Sequence, residues 1–378
     1  MAIRVLHLID HLGPGGAQTS LIDLVESRAA DVEPIVWSLS GRVLAASHER
    51  LARAGVAHEV LHLGPAHLPA LGRLRRRLAE ARPDLVHTYL EVSSTLGVAA
   101  TLSLGAAAPL IVVQLVNDLY ARPLWARVAG RLLAGRVAGY VAVSPGVRRT
   151  ALHAYHGQAR RVAVIPPGID LHRFDRARVD PALTARFRQG ASRVVGTVGR
   201  LAAQKGLHVL LDAAPRLLAE DSGTRLLIVG DGPLRPSLER QARRLGVEHA
   251  VTFAGHQADV VPAYSAMDVF VLPSRYEGFG IVFLEAMAVG VPAVGTRVVG
   301  SEDAVADGVT GLLVPYGDAL ALAAAVTRLL SDCDLRERVR AEAARRVARD
   351  HGREAMALRT ESFYRELLDG RAGGPPDV

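Results

Sequence analysis

One lysine and a nearby arginine are the residues of this sequence best suited to chemistry on a phosphate. Lys205 is the only lysine, and the other basic residues are arginines. It lies in the run VGRLAAQKG at positions 198–206. A compact ammonium meets a phosphate oxygen as a point charge, which a planar guanidinium does not reproduce. Because no acid occurs from 191 to 211, we expect neither Arg200 nor Lys205 to form a structural ion pair. Both are predicted to stabilise a diphosphate leaving group.

Two carboxylates form the second candidate group, in the run SRYEGFGIVFLEAM at positions 274–287. Glu277 precedes a predicted helix, and Glu285 is expected about two turns along it, where a carboxylate can accept from ribose hydroxyls. The alternative is a capping acid followed by an ordinary helix glutamate. The helix is otherwise nearly free of charge, and an unpaired buried carboxylate is costly, so Glu285 should have a partner.

A glycine-rich turn, DHLGPGGAQ at positions 10–18, follows the first predicted strand. Its glycines allow a ligand close to the backbone, and the amino terminus of the following helix favours an anion. A tight strand-to-helix turn also needs glycine for packing alone, so both interpretations stay open. The run lacks the G-x-G-x-x-G pattern of dinucleotide-binding proteins, and no P-loop G-K-[ST] follows it.

Thirteen apolar runs, each followed by a helical stretch, predict parallel strands covered on both faces. They are 3–9, 35–39, 60–63, 85–89, 110–116, 140–144 and 162–165, then 194–198, 226–229, 251–254, 269–272, 292–295 and 312–314. The break at Pro166-Pro167-Gly168 divides them into two series. We therefore predict an α/β fold of two Rossmann-like domains, 1–167 and 168–350, facing a central cleft. A helix at 351–370 should pack back on the first domain, before a disordered tail at 371–378.

Composition is that of a globular protein, with 49% hydrophobic and 22% charged residues in 378. The single cysteine, Cys333, forms no internal disulfide, which predicts a reducing, cytoplasmic compartment. The uncharged stretch 92–116 is long enough to span a membrane. Serine, glycine and proline interrupt it, however, so a buried helix followed by a strand is the better prediction.

The positive charge is concentrated in the first half, where residues 1–170 hold 18 arginines and 12 acids. From 119 to 169 there are eight arginines and no acid, including an amphipathic pattern, and positions 73, 75, 76 and 77 form a second cluster. This pattern predicts that the protein binds peripherally to the inner face of an anionic membrane. The alternative is a core-facing helix with a solvated arginine face. Aromatic content of 4% argues against a nucleic-acid partner.

Five ordered motifs together resemble the family 4 retaining glycosyltransferases of GT-B fold. They are GGAQ at 15–18, P-x-GID at 166–170, VGRL-x3-KG at 198–206, VGDGP at 229–233, and PS-x-YEGFG at 273–280 with its E-x7-E spacing. The resemblance covers nearly the whole chain and is most specific from about 140 to 320. Nicotinamide dehydrogenases, pyridoxal-dependent phosphorylases and noncatalytic binding proteins fit these residues less well.

The resemblance implies a role for each matching residue. The first domain would hold a glycan, lipid-linked or anionic acceptor, with a soluble small molecule as the alternative. The second would hold a nucleotide-sugar that serves as co-substrate, with no other cofactor and no metal. Hexosyl transfer would proceed by front-face attack. Arg200 and Lys205 would grip the diphosphate, Glu277 would contact the sugar, and Glu285 would bind the ribose of a uracil, guanine or adenine nucleotide. The remaining donor contacts would be Gly16, Gly255, Gly278, Phe279 and Gly280.

The sequence departs from the family pattern at three places. Asn117 stands where the family commonly has a histidine after its fifth strand, so His11 and His87 become candidate replacements on the acceptor side. The usual hinge motif is PPG at 166–168, and a common G-G-x-x-E motif is VGSED at 299–303. We expect the last two changes only to reshape loops.

Overall fold

A computed structural model describes residues 2–63, 67–102, 104–105, 108–117, 124–154 and 161–372. The chain forms two compact units. The first unit comprises Met1–Gly168 and Arg353–Val378, and the second comprises Ile169–Gly352. The chain therefore leaves the first unit after the Pro-Pro-Gly break and returns to it for the C-terminal helix. Most of the predicted tail, 373–378, lies outside the described residues.

The first unit is built on a seven-stranded sheet in the order β3-β2-β1-β4-β5-β6-β7. Its pairings are parallel. The strands are β1 Ile3–Ile9, β2 Val32–Ser38, β3 Ala57–Val60, β4 Leu85–Tyr89, β5 Leu110–Leu115, β6 Gly139–Ala142 and β7 Val162–Val164. Strand β1 is central, and its Val5, Leu6, Leu8 and Ile9 have no exposed surface. Such continuous apolar strands are expected where helices cover both faces.

In the described part of the chain, six α-helices connect these strands. They are α1 Gly16–Glu26, α2 Ala45–Arg53, α3 His67–Ala81, α4 Glu91–Leu102, α5 Leu124–Leu133 and α6 Pro145–Ala154. The uncharged stretch 92–116 thus forms most of α4 together with β5, as predicted. Among the described residues, no helix is both long and apolar enough to cross a membrane.

The second unit contains a six-stranded parallel sheet in the order β10-β9-β8-β11-β12-β13. Its strands are β8 Arg193–Val198, β9 Thr224–Val229, β10 Val251–Gly255, β11 Val269–Leu272, β12 Ala293–Thr296 and β13 Leu312–Val314. Its helices are α7 Pro181–Arg188, α8 Leu207–Glu220, α9 Arg235–Arg244, α10 Val261–Ala266, α11 Ile281–Ala288, α12 Ser301–Ala304, α13 Ala319–Ser331 and α14 Cys333–Asp350.

The last helix, α15 Arg353–Ala372, belongs to the first unit. It contributes Met356, Tyr364 and Leu367 to a hydrophobic cluster that contains Val5 and Leu85 of the central strands. The helix predicted at 351–370 corresponds to α15, which begins at Arg353 and extends two residues into the predicted tail. The helix therefore covers one face of the first sheet.

Two strands differ clearly from their predicted positions, since β2 begins at Val32 rather than at 35, and β3 lies at Ala57–Val60 rather than 60–63. The prediction for β3 followed the more apolar run, 60–63. In the structure, pairing with β2 sets where the strand begins and ends. Val60 pairs with Ser38, the last residue of β2, so the ladder ends there. The following chain keeps single hydrogen bonds, from Leu61 N to Ser38 O and from Leu63 N to Leu39 O.

Candidate active site

In the second sheet, successive strands are added on one side from β8 to β10 and on the other side from β11 to β13, so the strand order reverses between β8 and β11. Ligands of open parallel sheets bind beyond the carboxyl ends of the strands at such a switch point. The loop after β8 carries Arg200 and Lys205, and the loop after β11 carries Glu277. The fold thus brings together, at one sheet edge, two runs that lie far apart in sequence.

Lys205 and Glu277 are in direct contact. The Lys205 Nζ lies 2.6 Å from Glu277 Oε1, and the Ser274 hydroxyl donates to the same oxygen at 2.6 Å. The Glu277 side chain is 6% exposed and that of Lys205 is 17% exposed. The expectation that Lys205 takes part in no ion pair is therefore wrong. Its acid comes from 72 residues away, which a survey of neighbouring sequence could not detect.

Hydrogen bonds to backbone carbonyls join the two loops. Gln204 Nε2 donates to the Tyr276 carbonyl at 3.1 Å, and the Arg275 amide donates to the Gln204 carbonyl at 2.8 Å. Gly206 adopts a φ of +60°, and a Cβ on it would lie 2.0 Å from the Pro273 carbonyl oxygen. Glycine at position 206 is therefore required for the close approach that brings Lys205 to Glu277.

The loop between β12 and α12 also contacts the Glu277 backbone. The Glu277 amide donates to the Val299 carbonyl at 3.3 Å. Gly300 has a φ of +84°, and a Cβ there would lie 2.5 Å from the Glu277 carbonyl oxygen. The VGSED run, one of the three departures from the family pattern, therefore keeps a glycine where the Glu277 backbone needs space.

The loop that carries Arg200 is braced by the VGDGP run. The Gly199 amide donates to the Val229 carbonyl at 2.9 Å and the Leu201 amide to the Asp231 carbonyl at 3.0 Å. A Cβ on Gly232 would lie 2.5 Å from the Leu201 carbonyl oxygen. Arg200 itself is exposed, and its guanidinium has no hydrogen bond or ion pair with any other described residue. The sequence identified VGDGP as a motif but did not reveal that it holds the Arg200 loop in place through these hydrogen bonds.

Glu285 has the partner that its setting predicted. The Tyr264 hydroxyl donates to Glu285 Oε2 at 2.7 Å. Burial of Tyr264, together with the negative Glu285 beside it, raises the pKa of the tyrosine well above 10, so the hydroxyl stays protonated. The predicted position was imprecise, because α11 begins only at Ile281 and Glu285 lies about one turn along it rather than two. No local sequence signal pointed to Tyr264.

Four other predicted donor residues lie at two places in the second unit. Gly278, Phe279 and Gly280 are buried in the loop after β11, and the Phe279 ring lies 5.3 Å from that of His351. Gly255 ends β10, two strands from β8, with a φ of +69°. Its carbonyl accepts from the Gly230 amide at 2.8 Å.

Three predicted residues lie at the carboxyl edge of the first sheet. Gly16 begins α1, and Asn117 follows the end of β5. His11 lies just after β1, where its Nδ1 accepts from the Gly13 amide at 3.1 Å. Their positions are those expected for ligand-facing loops. Their contacts with donor or acceptor stay predictions.

His87 is placed differently, inside the first unit beneath α15. It is 1% exposed, and its Nδ1 lies 2.5 Å from the Tyr364 hydroxyl and 3.1 Å from the Tyr89 hydroxyl. His7 Nδ1 contacts the same Tyr89 hydroxyl at 3.0 Å. Burial lowers the pKa of His87 well below its usual value and that of His7 to about 3. This cluster gives His87 a structural setting and does not support an acceptor role.

Comparisons with known proteins assign the family. Residues 14–173 match Glycosyltransferase Family 4, and residues 192–332 match Glycosyl transferases group 1. The chain is 33% identical to the GDP-mannose-dependent alpha-(1-6)-phosphatidylinositol monomannoside mannosyltransferase of Mycolicibacterium smegmatis, over 84% of this chain and 86% of that one. It belongs to the family 4 glycosyltransferases. The glycosyltransferase is also 39% identical to D-inositol 3-phosphate glycosyltransferase of Corynebacterium urealyticum, over 59% of its own length and 55% of that relative's.

Solved structures show the same fold. Anabaena HepE in complex with UDP-glucose superposes with a TM-score of 0.85 at 24% identity, covering 96% of the glycosyltransferase and all of HepE. Sucrose-phosphate synthase from Thermosynechococcus elongatus gives a TM-score of 0.80 at 23% identity, with coverages of 97% and 100%. The predicted GT-B fold of two Rossmann-like domains is confirmed.

Proposed function

We propose that this glycosyltransferase moves a hexosyl unit from a nucleoside-diphosphate sugar, with retention of anomeric configuration and without a metal ion. The acceptor is a glycan, lipid-linked or anionic molecule of cell-envelope or polysaccharide synthesis. The contact of Lys205 with Glu277 at the β8–β11 switch point carries this proposal. It places the only lysine and a buried carboxylate where an open parallel sheet binds its ligand.

In this proposal Lys205 and Arg200 stabilise the departing diphosphate. A donor phosphate oxygen replaces Glu277 Oε1 as the partner of the Lys205 ammonium, while the exposed Arg200 guanidinium supplies a second cation. Negative charge on the diphosphate grows as the bond between the sugar C1 and the phosphate oxygen breaks. Fixed cations aimed at that charge therefore lower the barrier more than they tighten ground-state binding. The two side chains provide the charge neutralisation that a metal ion would otherwise supply.

The two glutamates bind the rest of the donor. Once Lys205 moves to the phosphate, the Glu277 carboxylate accepts hydrogen bonds from hydroxyls of the transferred sugar, beside the Phe279 and Gly280 backbone. Glu285 accepts from the ribose hydroxyls. A carboxylate has about four acceptor positions, so it can bind ribose while Tyr264 still donates to Oε2.

Retention is assigned to attack from the face that the diphosphate leaves. The C1–O bond to phosphate breaks, and a new C1–O bond to the acceptor forms on the same face. The acceptor proton passes to the departing phosphate oxygen. This route needs no carboxylate nucleophile, so Glu277 remains a sugar-binding group.

A soluble anionic acceptor is the second candidate. The Corynebacterium relative is named for D-inositol 3-phosphate, and the first half of this chain has the excess of arginine that an anionic acceptor would favour. The Mycolicibacterium relative is instead named for a phosphatidylinositol mannoside, a lipid acceptor. We favour the lipid-linked class, with a cytoplasmic enzyme acting at the membrane surface.

Donor hydrolysis tests the proposal without knowledge of the acceptor. UDP-, GDP- and ADP-sugars are each incubated with the enzyme, and released nucleotide is measured with and without EDTA. We expect one nucleotide class to be preferred and EDTA to leave the rate unchanged. Release from none of the donors, or strict dependence on magnesium or manganese, would contradict the assignment. The anomeric proton of a transferred sugar, followed by NMR, tests retention.

A further inference from the structure

Helix α5 exposes an apolar strip on the surface of the first unit. Leu124 is 71% exposed, Trp125 50%, Val128 50% and Leu132 78%, whereas Ala126 is buried. Exposed large apolar side chains are common singly, but four on one short helix form a continuous patch. The patch requires a partner that tolerates apolar contact.

The four side chains share one side of the helix. Successive residues are about 100° apart around an α-helix, so Leu124, Val128 and Leu132 follow one another, with Trp125 beside them. Arg127 and Arg131 border the strip, and the exposed Arg136 follows the helix. An apolar strip edged by arginines and carrying a tryptophan is typical of a helix that lies in a membrane interface.

Charge identifies the partner as anionic. The stretch 119–169 contains eight arginines and no acid, so the surrounding chain adds further positive charge. A second copy of this surface would place like charges against one another, which is unfavourable. An anionic lipid surface instead satisfies both the arginines and the apolar strip.

The arginine cluster on α3 has a different character. Arg73, Arg75 and Arg76 are exposed, but the apolar Leu74 and Leu78 of that helix are buried. No large apolar side chain of α3 is exposed among those that the structure describes. Helix α3 therefore has the solvated arginine face that was the alternative explanation for α5.

We propose that α5 is a membrane-docking helix for anionic phospholipid. Leu124, Trp125, Val128 and Leu132 insert below the headgroups, while Arg127, Arg131 and Arg136 contact lipid phosphates. Membrane docking itself does not depend on the proposed function. Only its role, which is to bring the enzyme to a lipid-linked acceptor, rests on that proposal. The docking surface belongs to the first unit, and the Lys205–Glu277 site belongs to the second.

Tryptophan fluorescence provides a direct test, because the chain has only Trp37 and Trp125, and Trp37 is buried. The Trp37→Phe variant isolates Trp125. Vesicles of phosphatidylcholine with phosphatidylglycerol should shift its emission to the blue and protect it from acrylamide, and high salt should reverse both effects. Vesicles of phosphatidylcholine alone should change neither. An unchanged Trp125 signal with anionic vesicles would overturn the proposal.

Matched variants separate this helix from general positive charge. Changing Arg127, Arg131 and Arg136 together to Gln should lower partitioning onto anionic vesicles about 100-fold. The same three-charge change at Arg73, Arg75 and Arg76 should lower it less than about threefold, since α3 exposes no large described apolar side chain that could insert and hold those arginines at the lipid surface. Leu124→Ser with Leu132→Ser should weaken binding at least about tenfold. Equal losses in both arginine triples would overturn the assignment to α5.

Two controls keep the outcomes distinct. Donor hydrolysis in vesicle-free solution should be unchanged in the Leu124→Ser, Leu132→Ser variant, and its melting temperature should match wild type. Failure of donor hydrolysis in wild type would count against the proposed function and leave the vesicle result to stand alone. The wild-type protein could instead dimerise in a concentration-dependent way and fail to bind vesicles. If the double serine variant abolished that dimerisation, the partner of α5 would be a second copy, and the proposal would be overturned.

Discussion

The ammonium of Lys205 lies 2.6 Å from Oε1 of Glu277, so in the proposed function the donor phosphate competes with this carboxylate for one cation. Glu277→Gln removes the competing charge but keeps the shape of the side chain. We expect the variant to bind the nucleoside diphosphate at least as tightly as wild type, while kcat falls about tenfold or more because the sugar contact is weakened.

Calorimetric titration with the nucleoside diphosphate and steady-state turnover measure the two effects separately. Glu239→Gln is the matched control, because Glu239 pairs with Arg235 in the same unit at 2.9 Å. It should change neither quantity. Parallel losses of affinity and turnover in Glu277→Gln would show that Glu277 does not compete for Lys205.

Tyr264→Phe should raise the donor KM about tenfold with little change in kcat. The substitution removes the hydroxyl that donates to Glu285 Oε2, and a hydrogen bond to a charged group typically contributes about 1.5–3 kcal/mol. Initial rates over a range of donor concentrations provide the measurement. Tyr364→Phe, a buried tyrosine of the other unit, should leave the donor KM unchanged. An unaltered KM in Tyr264→Phe would remove Tyr264 as the residue that positions Glu285.

Gly300→Ala should reduce turnover about tenfold or more, because its Cβ would lie 2.5 Å from the Glu277 carbonyl oxygen. Gly317→Ala is a suitable control, since Gly317 has a similar φ of +83° but no atom within 4 Å of a new Cβ. Both variants bear a backbone cost of about 1–2 kcal/mol. Only Gly300→Ala should displace the Glu277 loop. Equal activity of the two variants would mean that the loop position is not critical.

Acid should destabilise the first unit through His7. Burial lowers the pKa of His7 to about 3 in the folded chain, against an ordinary value of about 6.5 when unfolded. The unfolded chain therefore binds more protons between these values, and stability is lost as pH falls from about 6.5. The expected slope is about 1.4 kcal/mol per pH unit for this group.

Denaturant unfolding at pH 7 and pH 5, followed by tryptophan fluorescence, reports on this unit because both tryptophans belong to it. His7→Asn should show a shallower loss of stability than wild type. His153→Asn, an exposed change in the same unit, should retain the wild-type slope. A wild-type slope in His7→Asn would rule out His7 as the source of the acid sensitivity.

The architecture was largely predictable because each strand is an apolar run and each loop carries turn residues. The prediction of β3 was wrong, because pairing with β2 rather than local hydrophobicity fixed its register. Glycine marked one boundary well, since the helix predicted from 351 begins at Arg353, directly after Gly352. Local chemistry therefore predicted elements well and pairing register less well.

The candidate site was predictable in composition but not in its contacts. Arg200, Lys205, Glu277 and Glu285 were identified by type and spacing, yet the Lys205–Glu277 ion pair and the Tyr264–Glu285 hydrogen bond join separate loops and helices. Such contacts depend on sheet order, which one sequence does not reveal. For His87 the sequence suggested an acceptor-side role, but α15, from the end of the chain, covers this residue and contacts it through Tyr364.

The turnover of Lys205→Ala at saturating donor tests the central claim most directly. If Lys205 stabilises the departing diphosphate, kcat for donor hydrolysis should fall about 100-fold or more, with the melting temperature little changed. Lys205→Arg, which retains the charge but not the compact ammonium, should recover only part of that loss. Near-normal kcat in a folded Lys205→Ala enzyme would contradict the account.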